Sequence, residues 1–315
     1  MRRELRRDPF TGAWVALCEG HVHVAPLARP APTAADGCPL CSREGAQVLG
    51  ERGEAWARPH RVPVVAVEEG FDGHADGAGY VRPGLGAHEV LVESRGHEPL
   101  VARPVAPSID ALLLARARHA DLRGDGRLRW VGWSRTVGMG QLEHPHAELV
   151  ALPVVPAGIE RITALAARQP QLLGAVIDAE ERRQRRWLAV HGDAVAWAAS
   201  APSAPFQVRV AHRHGATTWL AASDEALADV ATLAWAVGRA LVDALGTAAG
   251  RVELVQGPHD APRLALWHLL LTPSTEVAPR SLAGGVAAHP GFPEEVAERL
   301  RPLCHDALQE AVVAR

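Results

Sequence analysis

One stretch of this sequence governs the interpretation of the rest: Gly140-Gln141-Leu142-Glu143-His144-Pro145-His146-Ala147-Glu148-Leu149. Proline fixes its own φ angle and pushes the preceding residue toward an extended conformation, so we expect both histidines on an extended backbone. Residues i and i+2 of an extended chain point to the same side, which places the two imidazoles on one face of a strand. Such a pair can bind a metal ion, or one ring can act as a nucleophile while the other is held in place. From the tripeptide alone, a loop that happens to contain two histidines is an equal alternative.

The composition is that of a soluble globular protein. The chain has 315 residues, of which 48% are apolar and 22% charged, enough for one large or two ordinary domains. The net charge of −3 gives no electrostatic reason to bind nucleic acid or an anionic membrane surface. No apolar run approaches the roughly 18 residues that span a bilayer, and no apolar segment follows the charged N-terminus. We therefore predict a cytoplasmic protein that binds neither nucleic acid nor membrane.

Two of the four cysteines form a Cys-x-x-Cys pair, Cys38 and Cys41. In a reducing compartment, this spacing indicates either a redox pair or half of a zinc site. A redox pair usually begins a helix that follows a strand, whereas this pair follows a Pro- and Gly-rich segment at 30–37. The sequence therefore favours half of a zinc site, with the redox pair as the alternative.

The first half of the chain is predicted to contain short strands and one helix. Ser108 is expected to cap a helix that runs to about Asp121. Apolar runs bounded by turn residues predict strands at 13–17, 61–67, 88–93, 128–133 and from Leu149 onward. The strand at 61–67 contains a proline, which favours the edge of a sheet.

The second half repeats this order of elements. A helix over about 156–186, interrupted near Pro170, is followed by a hairpin, a strand, a long helix and two strands. These are predicted at 187–190, 194–198, 206–210, 223–245, 251–255 and 264–271, with a terminal helix at 293–301. The recurrence predicts an α+β fold of two half-domains, each an antiparallel sheet with packed helices. We divide the chain into 1–155, a connecting helical segment at 156–185, and 186–315.

Several short motifs follow one another along the chain. They are Asp8-Pro9-Phe10-Thr11-Gly12, Cys38-x-x-Cys41, Gly86-x-His88-Glu89-Val90 with His97, the His144-Pro145-His146 segment, Trp267-His268 and the residues 293–301. In this order, they resemble the galactose-1-phosphate uridylyltransferase family of the histidine-triad superfamily, which is built from two such halves. The resemblance covers essentially the whole chain. It implies a homodimer whose subunits contribute to each other's sites.

The resemblance also implies roles for the histidines. His146 corresponds to the nucleophile that attacks the α-phosphorus of a nucleotide sugar, forms a covalent nucleotidyl-histidine and passes the nucleotidyl group to a second phosphate. The backbone carbonyl of His144 is expected to hold the His146 ring in one tautomer. Four residues match the ligands of one structural zinc ion per chain: Cys38, Cys41, His97 and His144. The implied partner is a small nucleotide or sugar phosphate.

The sequence departs from the family at the substrate pocket. Gln141 stands where a serine is expected, and Glu148 replaces a glutamine that contacts the transferred phosphoryl group. A carboxylate at that position repels phosphate unless it is protonated or paired with a cation. The segments at 21–24 and 62–65 also differ from the family pattern, and Trp133 is the aromatic residue expected to contact a ligand. The uridine and galactose specificities are therefore not expected.

A second metal site, present in some relatives, would need a carboxylate and three histidines from the second half. Glu160, His259 and His268 are candidates, but Leu266 stands where a histidine is expected. We therefore do not expect a second metal.

Two alternatives to a nucleotidyltransferase remain open from the sequence. One is a divergent hydrolase, phosphorylase or specialised-metabolism enzyme that uses the same histidine, which Glu148 favours. The other is a zinc-stabilised binding protein that has kept the fold and lost catalysis.

Overall fold

The structure is a computed structural model that describes residues 2–20, 37–138, 144–213, 218–261, 266–275 and 280–313. Within these residues, the chain forms sixteen strands and five helices. The strands are β1 Arg3–Arg7, β2 Trp14–Cys18, β3 Gly50–Arg52, β4 Ala55–Pro59, β5 His74–Asp76, β6 Gly79–Val81, β7 Ala87–Val92, β8 Trp130–Val137, β9 His146–Leu152, β10 Trp187–His191, β11 Ala194–Ala198, β12 Val208–His212, β13 Gly250–Val255, β14 His268–Pro273, β15 Arg280–Ser281 and β16 Ala287–Pro290. The helices are α1 Ala106–Leu122, α2 Ala157–Arg168, α3 Leu172–Arg183, α4 Asp224–Leu245 and α5 Pro293–Val313.

One ten-stranded antiparallel sheet runs through both halves of the chain, in the order β10-β11-β12-β14-β13-β8-β9-β7-β4-β3. Read outward from the centre, the strands β8-β9-β7-β4-β3 mirror β13-β14-β12-β11-β10. The two sets join where β8 pairs with β13, from Ser134 opposite Glu253 to Val137 opposite Gly250. The predicted α+β fold of two similar halves is confirmed, with the two half-sheets continuous. The domain bounds at 155 and 185 remain a prediction.

Helices α1 and α4 cover one face of this sheet. The side chains of β9 alternate, so Ala147 and Leu149 enter the core beneath these helices and are 0–1% exposed. Ser223 caps α4 by accepting a hydrogen bond from the Ala226 backbone N–H at 3.1 Å, and the long helix expected over 223–245 is present. In the described part of the chain, no helix has both the length and the apolar character needed to cross a lipid bilayer.

The two halves differ on the other face of the sheet. In the second half, α2 and α3 pack there with Phe10 against Val195 and Trp197 of β11. In the first half, the corresponding face carries partly exposed side chains, among them His146 and Glu148. As far as the described residues show, the sheet therefore has its open polar face in the first half.

A second sheet connects the two ends of the chain, in the order β1-β2-β16-β15. Its strands β2 and β16 are parallel, whereas the other pairs are antiparallel. Beside it, the Glu294 carboxylate binds Arg6 at 3.0 Å and Arg186 at 2.7 Å. Burial acts to raise the pKa of Glu294, but these two guanidinium groups lower it to about 2. The N-terminal strand is thus fixed to the start of α5 and to the end of the connecting helices.

Three predicted elements need correction. The strand expected at 61–67 is absent, because Pro63 interrupts pairing there; β4 forms the ladder with β7 instead. Helix α1 begins three residues earlier than predicted: Val105 is at the cap, and Ser108 lies inside the first turn. Helix α5 continues past Pro302 to Val313. Burial of Cys304 and Ala307 outweighs the hydrogen bond that the proline removes.

Candidate metal and nucleophile site

The cluster Cys38, Cys41, His97 and His144 brings together four metal-binding side chains whose ligand atoms all lie within 4.8 Å of one another. The Cys41 sulfur lies 3.0 Å from His97 Nε2 and 3.5 Å from His144 Nδ1. The Cys38 sulfur lies 3.7 Å from the same Nδ1 atom. Tetrahedral zinc with Zn–S and Zn–N bonds of about 2.3 and 2.1 Å separates its ligand atoms by about 3.4–3.8 Å. The cluster could therefore hold one metal ion, and its two thiolates and two imidazoles suit zinc.

The surroundings of His144 fix which nitrogen faces the cluster. The Nε2–H group donates a hydrogen bond to the backbone carbonyl of Ser94 at 2.8 Å, so Nδ1 carries the free lone pair. The ring is 1% exposed, and burial lowers the pKa of His144, which favours the neutral form that ligates metals. The Ser94 hydroxyl in turn donates to the carbonyl of Gly96 at 2.8 Å, which orders the turn before His97.

His146 is the first residue of β9, directly after the cluster. Its Nδ1–H donates to the backbone carbonyl of His144 at 2.6 Å, as the sequence predicts. The neutral ring therefore presents an unprotonated Nε2, for which no partner occurs among the described residues. The carbonyl that orients this ring belongs to a residue of the metal-binding cluster, so the cluster and the free nitrogen are coupled through one peptide unit.

Glu148 lies two residues further along β9, on the same face as His146. It is opposite Val90 of β7 and Ser134 of β8 in the sheet register. The His88 imidazole faces the Glu148 carboxylate and, with the nearby His60 and His146, lowers the pKa of Glu148. The carboxylate is thus ionised at neutral pH, so phosphate repulsion at this position is not removed by protonation.

Two ion pairs on the helix side link β7, and Glu93 that follows it, to α1 and β8. Arg118 of α1 binds the Glu89 carboxylate through two hydrogen bonds of 2.7 and 2.9 Å. Arg135 of β8 binds Glu93 in the same way at 2.6 and 2.7 Å. The Glu93 backbone N–H also donates to the carbonyl of Pro145 at 3.0 Å. Sequence analysis missed these pairs, although acidic residues at alternate positions of an otherwise apolar strand are the signal for them.

Trp133 lies on the other face of the sheet from this site, and its contact with a ligand remains a prediction. It lies opposite Leu149 in the register, so its side chain enters the core on the face opposite His146, and it is 3% exposed. Gln141 and the segment 21–24 lie outside the described residues. The segment 62–65 is described, and its Val62 and Val64 side chains are about three-quarters exposed, at 75% and 73%.

The structure does not bring together the three candidates for a second metal site. His268 is fully buried, where its Nε2 contacts Arg209 and its ring packs on Phe10. His259 instead contacts His119, with 3.2 Å between their Nε2 atoms, and Glu160 is exposed on α2. Within the described residues, none of the three belongs to a metal-binding cluster. The burial of His268 follows from the coverage of the second half-sheet by α2, α3 and Phe10.

His268 is nevertheless the structural counterpart of His146. Its Nδ1–H donates to the carbonyl two residues earlier, that of Leu266, at 2.8 Å. His146 makes the same contact with His144. The repeated motif is thus used as an open site in one half and as a core element in the other.

No protein-family model and no curated protein matches this sequence. Solved structures do match along nearly its whole length. An ADP-glucose phosphorylase from Arabidopsis thaliana with bound ADP-glucose shares 19% identity, with a TM-score of 0.79 over 96% of this chain and 98% of that one. A GalT-like protein from the same plant shares 18% identity, with a TM-score of 0.77 over 96% of this chain and 99% of that one. A uridylyltransferase shares 20% identity, with a TM-score of 0.72 over 98% of this chain and 100% of that one. This chain therefore shares the fold of these three proteins along nearly its whole length.

Proposed function

We propose that the protein is a divergent member of the galactose-1-phosphate uridylyltransferase family that transfers a nucleotidyl group through His146. The observation that carries this proposal is the 2.6 Å hydrogen bond from His146 Nδ1 to the His144 carbonyl, which leaves Nε2 free on the open face. Support for a nucleotide sugar as the donor comes from the ADP-glucose-bound phosphorylase that shares the fold. A small nucleotide or sugar phosphate is thus the proposed partner.

The chemistry divides one displacement into two. The Nε2 lone pair of His146 attacks the α-phosphorus of the donor, a nitrogen–phosphorus bond forms, and the phosphorus–oxygen bond to the sugar phosphate breaks. The ring becomes cationic, and the His144 carbonyl stabilises that charge through the Nδ1–H bond. An oxygen of the acceptor then attacks the same phosphorus and releases the neutral ring. Because both steps use one nitrogen, a single pocket serves donor and acceptor.

The four-residue cluster has a supporting role in this proposal. Zinc held by Cys38, Cys41, His97 and His144 would cross-link the Cys-x-x-Cys loop to the strand that presents His146. All four ligand positions come from the protein, so the site is closed and its contribution is to position the backbone around His144. No step of the transfer passes through it.

Glu148 favours a donor and an acceptor different from those of the uridylyltransferases. Its ionised carboxylate lies on the face where the transferred phosphoryl group is expected, and it can accept a proton from an incoming hydroxyl. Water is therefore a second candidate acceptor, which would make the protein a hydrolase. The pairing of subunits into a homodimer remains a prediction from the resemblance.

The covalent step can be tested directly. Purified protein is incubated with a panel of nucleotide sugars and nucleoside triphosphates carrying phosphorus-32 at the α-position, then denatured and separated from free nucleotide. We expect label that acid removes and base does not, as for phosphorus bound to histidine, and we expect none in His146→Ala. The matched control His305→Ala removes an exposed histidine of α5 and should label like the wild type.

The fate of the label separates the candidate functions. Discharge by a sugar phosphate indicates a transferase, discharge by inorganic phosphate a phosphorylase, and loss to water alone a hydrolase. If no nucleotide labels His146 while several stabilise the protein against heat, the catalytically inactive binding protein is the correct interpretation and the proposal is wrong.

A further inference from the structure

A second group of metal-binding side chains lies on the open face beside His146. His60 follows β4, His88 belongs to β7, and Glu148 belongs to β9; one ligand atom from each lies within 4.8 Å of the other two. His88 and Glu148 are diagonal neighbours in the register between β7 and β9. This group shares no residue with the cysteine cluster, and none with the candidates Glu160, His259 and His268.

The buried His88 ring has an unsatisfied nitrogen that faces Glu148. Its side chain is 7% exposed, and its Nε2 atom has no hydrogen-bond partner. The nearest carboxylate oxygen of Glu148 lies 3.9 Å away, too far for a hydrogen bond. Tetrahedral zinc bound through nitrogen and oxygen at about 2.0–2.2 Å separates its ligand atoms by about 3.3–3.6 Å, so these two atoms need to approach by only a few tenths of an ångström to share one ion. The distance is thus too long for a hydrogen bond and close to the spacing of two ligands around a metal ion.

His60 is oriented to act with His88. Its ring stacks on the His88 ring, with 4.1 Å between centroids and 3° between planes. Its Nδ1 lies 2.7 Å from the Val62 carbonyl and 3.1 Å from the Val62 backbone N–H, and the tautomer that donates to the carbonyl leaves the lone pair on Nε2. A hydrogen bond from the second ring nitrogen to a backbone carbonyl is typical of histidines that ligate metals.

We infer that His60, His88 and Glu148 bind a divalent transition-metal ion, Zn²⁺ being the ion that this ligand set suits. Two imidazoles and one carboxylate leave at least one coordination position open, unlike the closed cysteine cluster. Ligation needs the two stacked rings to tilt toward each other, since their planes are parallel and the 4.8 Å limit on the ligand atoms exceeds the roughly 3.3–3.6 Å spacing of ligands around tetrahedral zinc. A site of this kind lies where substrate phosphate is expected.

Binding of the ion also moves a proton. The Val64 backbone N–H points at His88 Nδ1 from 3.4 Å, so the neutral ring carries its proton on Nε2. A metal at Nε2 displaces that proton to Nδ1, where it faces the Val64 N–H, so this long contact is lost when the ion binds.

The ion would explain why a carboxylate is tolerated at position 148. Its charge offsets that of Glu148, and its open position can accept a phosphate oxygen of the substrate. This use of the ion rests on the proposed function, whereas its binding does not. Binding and catalysis are therefore measured separately.

The experiment counts metal ions in the full-length protein. Protein in which the cysteine cluster has been filled with Zn²⁺ is dialysed against a weak chelator and then titrated with Co²⁺. We expect one further ion per chain, with the absorption bands of cobalt bound to nitrogen and oxygen and without a sulfur-to-cobalt charge-transfer band. His88→Ala and Glu148→Gln should each weaken this second binding at least tenfold.

Three further variants make the outcome decisive. His60→Gln removes a ligand that is partly exposed, so this variant still tests the site if the buried change His88→Ala prevents folding. His74→Ala, at an exposed histidine of β5, should bind the second ion like the wild type. His146→Ala should also bind it, even if transfer activity is lost, so that failure of the proposed function does not overturn the metal site. A single ion per chain in the wild type, or a second ion that survives in both His60→Gln and Glu148→Gln, would refute the inference.

Discussion

Replacing His119 should remove much of the acid sensitivity of the fold. His119 of α1 is 1% exposed and joins the two halves: it accepts a hydrogen bond from Trp219 Nε1 at 3.0 Å and lies beside Gln256 and His259. Burial, with the neighbouring charge of His259, lowers the pKa of His119 to about 3. Unfolding returns the pKa of His119 to about 6.5. Between about pH 6.5 and pH 3, the unfolded chain therefore binds a proton that the folded chain does not.

The sign and size of the effect follow from these two pKa values. Above about pH 6.5 the contribution of His119 is constant, and below it the unfolded state gains stability as the pH falls until about pH 3. Between about pH 8 and pH 5 the loss in unfolding free energy from this one residue is about 2 kcal/mol. His119→Gln keeps an acceptor for the Trp219 indole and removes the titration.

The assay is urea unfolding of the wild type, His119→Gln and the control His305→Gln at a series of pH values between 8 and 5. His119→Gln should lose about 2 kcal/mol less than the wild type over that range, whereas His305→Gln, at an exposed position, should follow the wild type. His259 titrates in both proteins and largely subtracts out. Parallel curves for the wild type and His119→Gln would refute the buried neutral state of His119.

Three other residues give independent predictions. Cys38→Ser should abolish the bound zinc and lower the unfolding temperature, as measured by elemental analysis and calorimetry; unchanged zinc content would contradict the cluster. Arg118→Met should cost about 3–5 kcal/mol in urea unfolding, because it leaves the Glu89 carboxylate buried without its partner; a cost below about 1 kcal/mol would show the pair to be unimportant. Cys304 should resist thiol reagents at pH 8 in the native protein, because burial raises the pKa of its thiol to about 12; rapid modification there would contradict the packing of α5.

The local part of the site was predictable from the sequence. A proline between two histidines dictates an extended backbone, and the alternation of side chains then places His146 and Glu148 on one face. The four residues of the cysteine cluster were expected from the resemblance, and the structure brings their ligand atoms together. The first expectation depends on residues that are close in sequence, and the second on the motifs of a known family. Neither had to be derived from contacts between distant strands.

Contacts between distant strands were not predictable in the same way. His60, His88 and Glu148 become neighbours only through the pairing of β7 with β4 on one side and β9 on the other, whose registers cannot be derived from one sequence. The face of Trp133 depends on the register of β8 for the same reason. The difference between the halves arises because α2, α3 and Phe10 cover one half-sheet and leave the other open. Which half-sheet is covered depends on how the helices pack on the sheet.

The intact mass of the protein after incubation with unlabelled nucleotide sugars tests the central claim most directly. With the correct donor, the mass should increase by one nucleotidyl group per chain, and fragmentation should place the addition on His146 in the peptide that contains residues 144–149. The addition should be absent from His146→Ala and present in His305→Ala. A mass increase that persists in His146→Ala, or turnover of a donor without any addition to His146, would contradict a covalent nucleotidyl-histidine.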